Sequence, residues 1–265
     1  MTPKQADRTR SSVTSSPTVL VTGAARRMGK AICEDLARNG YGVAIHADRS
    51  IEEAQSVAAS LRAEGHRVVA VQANLLDASA ADALIDLAAA QLGPLTGLVN
   101  SASIFQKDTA ETFDAETFDR HFAIHVRAPS ILSAALLRQL PADREGLIVN
   151  IIDQRVWKLT PHFYSYTLSK AALWTATQTL AQAYAPRVRV NAIGPGPSFK
   201  SERQAQADFD KQVAGVPLKR GPAPCEFGRT IRFLFDTPSI TGQMIALDGG
   251  QHLAWETPDV AEIVE

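Results

Sequence analysis

The chain has 265 residues, 45% of them hydrophobic, enough to build one sizeable α/β core. Its 27 Lys and Arg against 28 Asp and Glu leave a formal charge of −1, which argues against a nucleic-acid or anionic-membrane partner. Cys33 and Cys225 form no spaced motif, the histidines lack metal-ligand spacing, and no apolar run reaches the roughly 18 residues of a membrane span; a reducing cytoplasm fits and a metal site does not.

Residues 1–16, MTPKQADRTRSSVTSS, are polar without an apolar h-region and read as a disordered tail. From there, short Val/Ile/Leu runs alternate with helical patterns. Strands are expected at Thr18–Thr22, Gly42–His46, Arg67–Gln72, Gly97–Asn100, Leu147–Ile152, Val188–Ala192 and Met244–Leu247. Helices are expected near 28–39, 50–64, 78–92, 115–139, 164–184 and 225–236. Continuous apolar strands suit a parallel sheet covered on both faces, and the strand–helix rhythm predicts a single-domain, Rossmann-type doubly wound α/β fold over residues 17–252. The stretch 194–224 breaks the rhythm with Gly and Pro around a short polar helix, as a loop over the carboxyl ends of the strands would. Residues 253–265 end in the acidic ETPDVAEIVE and read as a tail.

The first strand runs into VLVTGAARRMGKAI. Gly23 supplies backbone freedom for a sharp turn, and Gly29 lets the following helix pack close to the sheet. The helix start offers unpaired N–H groups and a positive dipole end to a pyrophosphate. Arg27 stands between the two glycines, where a third is common. The second strand ends VAIHADRS, with Ala47 where an acid would hold a free ribose 2′-hydroxyl. His46, Arg49 and Ser50 around it suit a 2′-phosphate instead, so NADP(H) is the expected cofactor. Asp48 is the dissenting residue: turned inward, it would favour NAD(H).

Tyr166 and Lys170, in YSYTLSK, fall four apart at the start of a helical run and share one face. A Lys ammonium beside a phenol is expected to lower the Tyr pKa toward working pH and make it a proton donor for hydride reduction.

With TGAARRMG, the strand-end NSAS at 100–103, YTLSK, RVNAIGPGPS and ITGQMIALDGG in this order, the chain resembles the short-chain dehydrogenase/reductase family over nearly all of 17–252. The resemblance implies a nicotinamide cofactor, a small-molecule substrate and commonly a homotetramer or dimer. It also implies cofactor contacts at Met28, Asn74, Leu75, Asn100, Ser101, Ala102, Pro195, Gly196 and Ser198, beside Gly23, Arg27, Gly29, Tyr166 and Lys170.

Several positions depart from the family pattern. Asp153 stands where a Ser is usual, thirteen before Tyr166; His125 replaces the usual Asn of the middle helix; and Arg27 replaces Gly. Together with Ser103 and Phe105 these resemble the pteridine reductases and dihydromonapterin reductases. That resemblance implies reduction of a pterin C=N bond. Phe105 would stack on the flat ring, Ser103 would accept from its amino edge, and Arg27 would bridge pyrophosphate and pterin. Asp153 and Tyr166 would supply the proton, with Lys170 fixing the nicotinamide ribose. For His125 a donor holding the middle helix is expected, and for Trp157 and Phe163 either the substrate mouth or packing under the loop. Two other functions stay open: a reductase for another carbonyl substrate, and a non-catalytic NADP(H) sensor, against which the Tyr–Lys pair argues.

Overall fold

The computed structural model describes residues 16–200 and 205–255. The expected tails therefore lie almost wholly outside the described residues, as does 201–204 within the 194–224 excursion.

Seven strands form one all-parallel sheet: β1 (Thr18–Val21), β2 (Gly42–Ala47), β3 (Val68–Gln72), β4 (Gly97–Asn100), β5 (Gly146–Ile151), β6 (Val188–Pro195) and β7 (Met244–Leu247). Their order is β3-β2-β1-β4-β5-β6-β7, so the chain winds outward from β1 and then returns to start again beside it. The carboxyl ends of β1 and β4 lie at the reversal, the crevice in which doubly wound sheets bind ligands.

Side chains alternate between two cores, as the strand period of two requires. Val19, Val21, Val43, Ile45 and Val149 pack with α1 (Arg27–Arg38), α2 (Ile51–Ala63) and α8 (Pro224–Asp236). Leu20, Ala44, Leu98 and Ile148 face the opposite layer, with α3 (Ala78–Leu92) and α5 (Ala128–Gln139). Burial on both faces explains why the strands are apolar throughout.

The long helix expected at 115–139 is instead α4 (Ala115–Phe122), a five-residue π-helical turn over Ala123–Arg127, and α5. Pro129 has no N–H to give the carbonyl of residue 125, and its ring crowds that group, so the helix loosens there. The bulge falls on His125. Helix α6 (Tyr164–Tyr184) begins one residue after Phe163, whose φ of 60° is left-handed. Buried Asp108 caps this start: its carboxylate accepts from the backbone N–H and the hydroxyl of Ser165, and its carbonyl accepts from Phe163 N–H at 2.8 Å. The polar helix of the 194–224 excursion is α7 (Gln206–Gly215).

Candidate active site

The turn after β1 is pinned from two sides. Thr22 N–H donates to Val99 O at 3.0 Å, and Thr22 Oγ1 accepts from the N–H groups of Ser101 and Ala102 at 3.0 Å each. Gly23, at φ 62°, presses against the same β4 end; a Cβ there would lie 2.7 Å from Ala102 Cα. At Gly29 a Cβ would lie 2.7 Å from Gly23 O, so α1 closes directly onto the turn. The first turn of α1 carries no acid, and its Arg27, Met28 and Gly29 N–H groups precede the first intrahelical donor, Lys30. This cradle fits a dinucleotide pyrophosphate, and a side chain at Gly23 or Gly29 would collide with the backbone that shapes it.

Arg27 occupies the glycine position in a glycine conformation, φ 50°. Its Nη2 donates to Phe199 O at 3.2 Å, spanning from the phosphate turn to the loop after β6. A non-glycine residue held left-handed costs about 1 kcal/mol, and such strain gathers at functional sites.

His46 differs from expectation. It is buried, Nδ1 accepting from Gly23 N–H at 3.1 Å and Nε2 donating to Ala73 O at 3.0 Å. Burial lowers its pKa, so the ring is a neutral strut beneath the turn with no nitrogen left for a ribose phosphate. Arg49 is exposed, with no acid partner among the described residues, and Ser50 is half-buried ahead of α2. Asp48 points outward and its carbonyl accepts from Gln72. Asn74 spends its side-chain oxygen on Leu76 N–H, while Leu75 is buried in the core. Asn100 donates to Asn150 at 2.8 Å, and its buried Oδ1 has no partner among the described residues. After β6, Gly196 N–H bonds Leu247 O beside Pro195, and Ser198 turns back to Gly196 O.

The carboxyl ends of β4 and β5 and the start of α6 bring the chemistry together. Tyr166 Oη donates to Asp153 Oδ2 at 3.0 Å. Lys170 Nζ donates to Ile151 O at 2.8 Å and lies 5.7 Å from the Tyr166 ring centre. Burial and the neighbouring Asp153 raise the Tyr166 pKa well above its ordinary value, reversing the sequence expectation. The carboxylate touches the phenol directly, whereas the ammonium is committed to a carbonyl. Burial pushes Lys170 down to about 8, with Asp153 opposing. Tyr166 is thus held as a proton-bearing phenol.

Phe105 is 43% exposed, meets Tyr166 edge-on at 4.8 Å and stacks on Phe163 at 4.4 Å. Phe163 therefore lines the site, while Trp157 packs against Trp174 and His252 with 44% of its surface open. Ser103 Oγ lies 2.9 Å from His125 Nε2, which also accepts from Ile104 N–H at 3.3 Å. His125 Nδ1 donates to Ser169 Oγ at 2.8 Å, and Ser169 in turn donates to Tyr166 O. Burial and the nearby Lys170 and His121 hold the His125 pKa well below the ordinary value. His125 is a neutral bridge between the Phe105 loop and α6 rather than a brace on its own helix.

Arg155, which no sequence motif singles out, completes the site. Its backbone N–H donates to Asp153 Oδ1 at 2.9 Å, its Nη1 lies 3.3 Å from Asp153 Oδ2, and its guanidinium carbon lies 5.5 Å and 5.1 Å from the Phe105 and Phe163 ring centres. The only signal was its place two residues after Asp153.

Among the described residues no helix is long and apolar enough to cross a membrane, and no group of three acidic, His or Cys side chains is set to hold a metal. The NADP-complexed FolM alternative dihydrofolate reductase 1 of Brucella canis is 55% identical, with a TM-score of 0.91 over 93% of this chain and 98% of that one. A Burkholderia cenocepacia short chain dehydrogenase in complex with NADP is 32% identical, with a TM-score of 0.83 over 90% and 98%. The 3-oxoacyl-[acyl-carrier-protein] reductase FabG of Staphylococcus aureus is 30% identical across 88% of this chain and 97% of its own. Residues 17–211 match the family model for short chain dehydrogenases, and this chain belongs to the short-chain dehydrogenase family.

Proposed function

We infer that this enzyme reduces a dihydropterin C=N bond with NADPH. The observation that carries the reading is the 3.0 Å hydrogen bond from Tyr166 to a carboxylate, Asp153, at the edge of the exposed Phe105 ring. The 55% identity to a FolM alternative dihydrofolate reductase complexed with NADP supports it.

The cofactor, when bound, supplies a hydride to the imine carbon. Gly23, Gly29 and the first N–H groups of α1 would hold its pyrophosphate, and Arg49 with Ser50 would meet the 2′-phosphate. Lys170, with two N–H groups beyond the one on Ile151 O, would hold the nicotinamide ribose. The imine nitrogen needs a proton, and Tyr166 bears one. After Tyr166 has given its proton to the imine nitrogen, Asp153 takes one from solvent and returns it to the phenolate, a relay that a serine hydroxyl would handle less readily. Phe105 offers a face to a flat heterocycle, and Arg27 joins the phosphate turn to the loop after β6 across the ring's path.

A ketone reductase is the second reading, favoured by the 30% identity to FabG. A crystal of the protein with NADPH and an antifolate separates the two. Stacking of the inhibitor on Phe105 with its nitrogens at Asp153 is expected, and an inhibitor bound elsewhere would remove the pterin reading.

A homotetramer in the cytoplasm belongs to the same reading. Cys33 and Cys225 are both free thiols, as a reducing compartment allows. Sedimentation equilibrium should give four chains per particle.

A further inference from the structure

Resting on the pterin reading, we propose that Arg155 is a specificity-determining residue: its guanidinium reads the charge of the pterin side chain and favours a carboxylate-bearing aryl tail over a neutral polyol.

In a 7,8-dihydropterin the bond to be reduced joins N5 to C6, and the side chain hangs on C6 itself. With the Asp153–Tyr166 pair set against N5, the side chain leaves the ring within a few bond lengths of those two residues. Whatever flanks Asp153 on its open side must meet that side chain. Arg155 is this neighbour, 3.3 Å from Asp153 Oδ2 and with 21% of its side chain exposed.

The guanidinium carbon lies beside the stacked Phe105–Phe163 pair, 5.5 and 5.1 Å from the two ring centres, contacts that use none of its N–H groups. Its Nε and Nη2 donate to nothing among the described residues. Two other cations of the site each spend one donor on a carbonyl, Lys170 on Ile151 O and Arg27 on Phe199 O, and the rest of their donors face the cofactor side of the reading. The loop that carries Arg155 also exposes the apolar side chains of Trp157 and Leu159, 44% and 73% open. The free guanidinium donors are the complement of the glutamyl carboxylates that lie beyond the aryl ring of a dihydrofolate tail. Asp153 already takes part of the guanidinium's charge, so the discrimination is that of one shared charge-assisted hydrogen bond, about tenfold or a little more.

The test compares 7,8-dihydrofolate with 7,8-dihydromonapterin as substrates of the wild type, Arg155→Met and Arg155→Lys. Both variants lose activity on both substrates, because Arg155 also steadies Asp153, so the readout is the ratio of the two kcat/KM values. In Arg155→Met this ratio should fall about tenfold, mainly through the KM for dihydrofolate, and Arg155→Lys should restore part of it. In the wild type, added salt should raise the KM for dihydrofolate and leave that for dihydromonapterin in place, a measurement that holds even if a variant fails to fold. An unchanged ratio, or equal salt responses, would overturn the assignment of Arg155 while wild-type pterin turnover left the underlying reading intact. A wild type that turns over neither pterin would overturn both.

Discussion

Tyr166 gives its phenolic hydrogen to Asp153 Oδ2 across 3.0 Å, in a site where Lys170 is bonded to a backbone carbonyl instead. The pair behaves as one proton-handling unit, so removing either member should cost about as much as removing both. Asp153→Ser and Tyr166→Phe should each lower kcat for pterin reduction about 100-fold or more, with the double variant little worse. Steady-state kinetics on the four proteins check this. An Asp153→Ser enzyme that kept or gained activity would mark an ordinary carbonyl reductase.

Lys170 predicts the alkaline side of the pH profile. With its pKa near 8, the ammonium is present below that value and lost as pH rises through it, while Tyr166 stays protonated. The kcat/KM of the enzyme should therefore fall above about pH 8, and the limb should vanish in Lys170→Met, whose activity is low throughout. A profile flat to pH 10 would contradict the assignment.

Arg27 combines a strained backbone with a useful side chain. Arg27→Gly relieves the left-handed strain and should stabilise the fold by up to about 1 kcal/mol, a rise of a few degrees in Tm. It also removes the contact to Phe199, and should weaken pterin reduction more than NADPH binding. Calorimetry and fluorescence titration read the two effects separately. Equal losses in pterin turnover and cofactor affinity would mean that Arg27 serves the phosphate alone.

His46 and His125 are both held neutral inside the protein. Their folded pKa values are depressed, so the unfolded chain takes up protons that the native state refuses as pH falls below about 6.5. Stability from these groups is fully present above that pH and is lost on acidification. Tm should be level near neutrality and drop below about pH 6.5, less steeply in His125→Asn. That substitution should also cost about 1–3 kcal/mol near neutral pH, because the shorter side chain leaves Ile104 N–H or Ser169 without its partner.

Much of the fold is legible in the chain. Buried strands announce themselves as unbroken Val and Ile runs, and the cradle residues Gly23 and Gly29 are required by close backbone approach. The bulge at His125 was less visible, although Pro129 is its cause and stands in the sequence. Direction of side chains was the harder matter. His46 sits at a strand end beside residues that face solvent, but the strand pleat turns it under the sheet edge. The Tyr166 pKa is raised first by burial and then by the Asp153 carboxylate, neither of which the Tyr–Lys spacing along α6 reveals. Arg155 is recognisable only once the loop after β5 has folded back over Phe105 and Phe163.

The most direct measurement is NADPH oxidation by the purified protein, followed at the reduced nicotinamide absorbance, with 7,8-dihydropterins in one series and ketones or 3-oxoacyl thioesters in another. Pterin-dependent turnover that exceeds turnover with every ketone, and that Asp153→Ser lowers about 100-fold or more, is the predicted result. Turnover with ketones or oxoacyl substrates and none with any pterin would contradict the account.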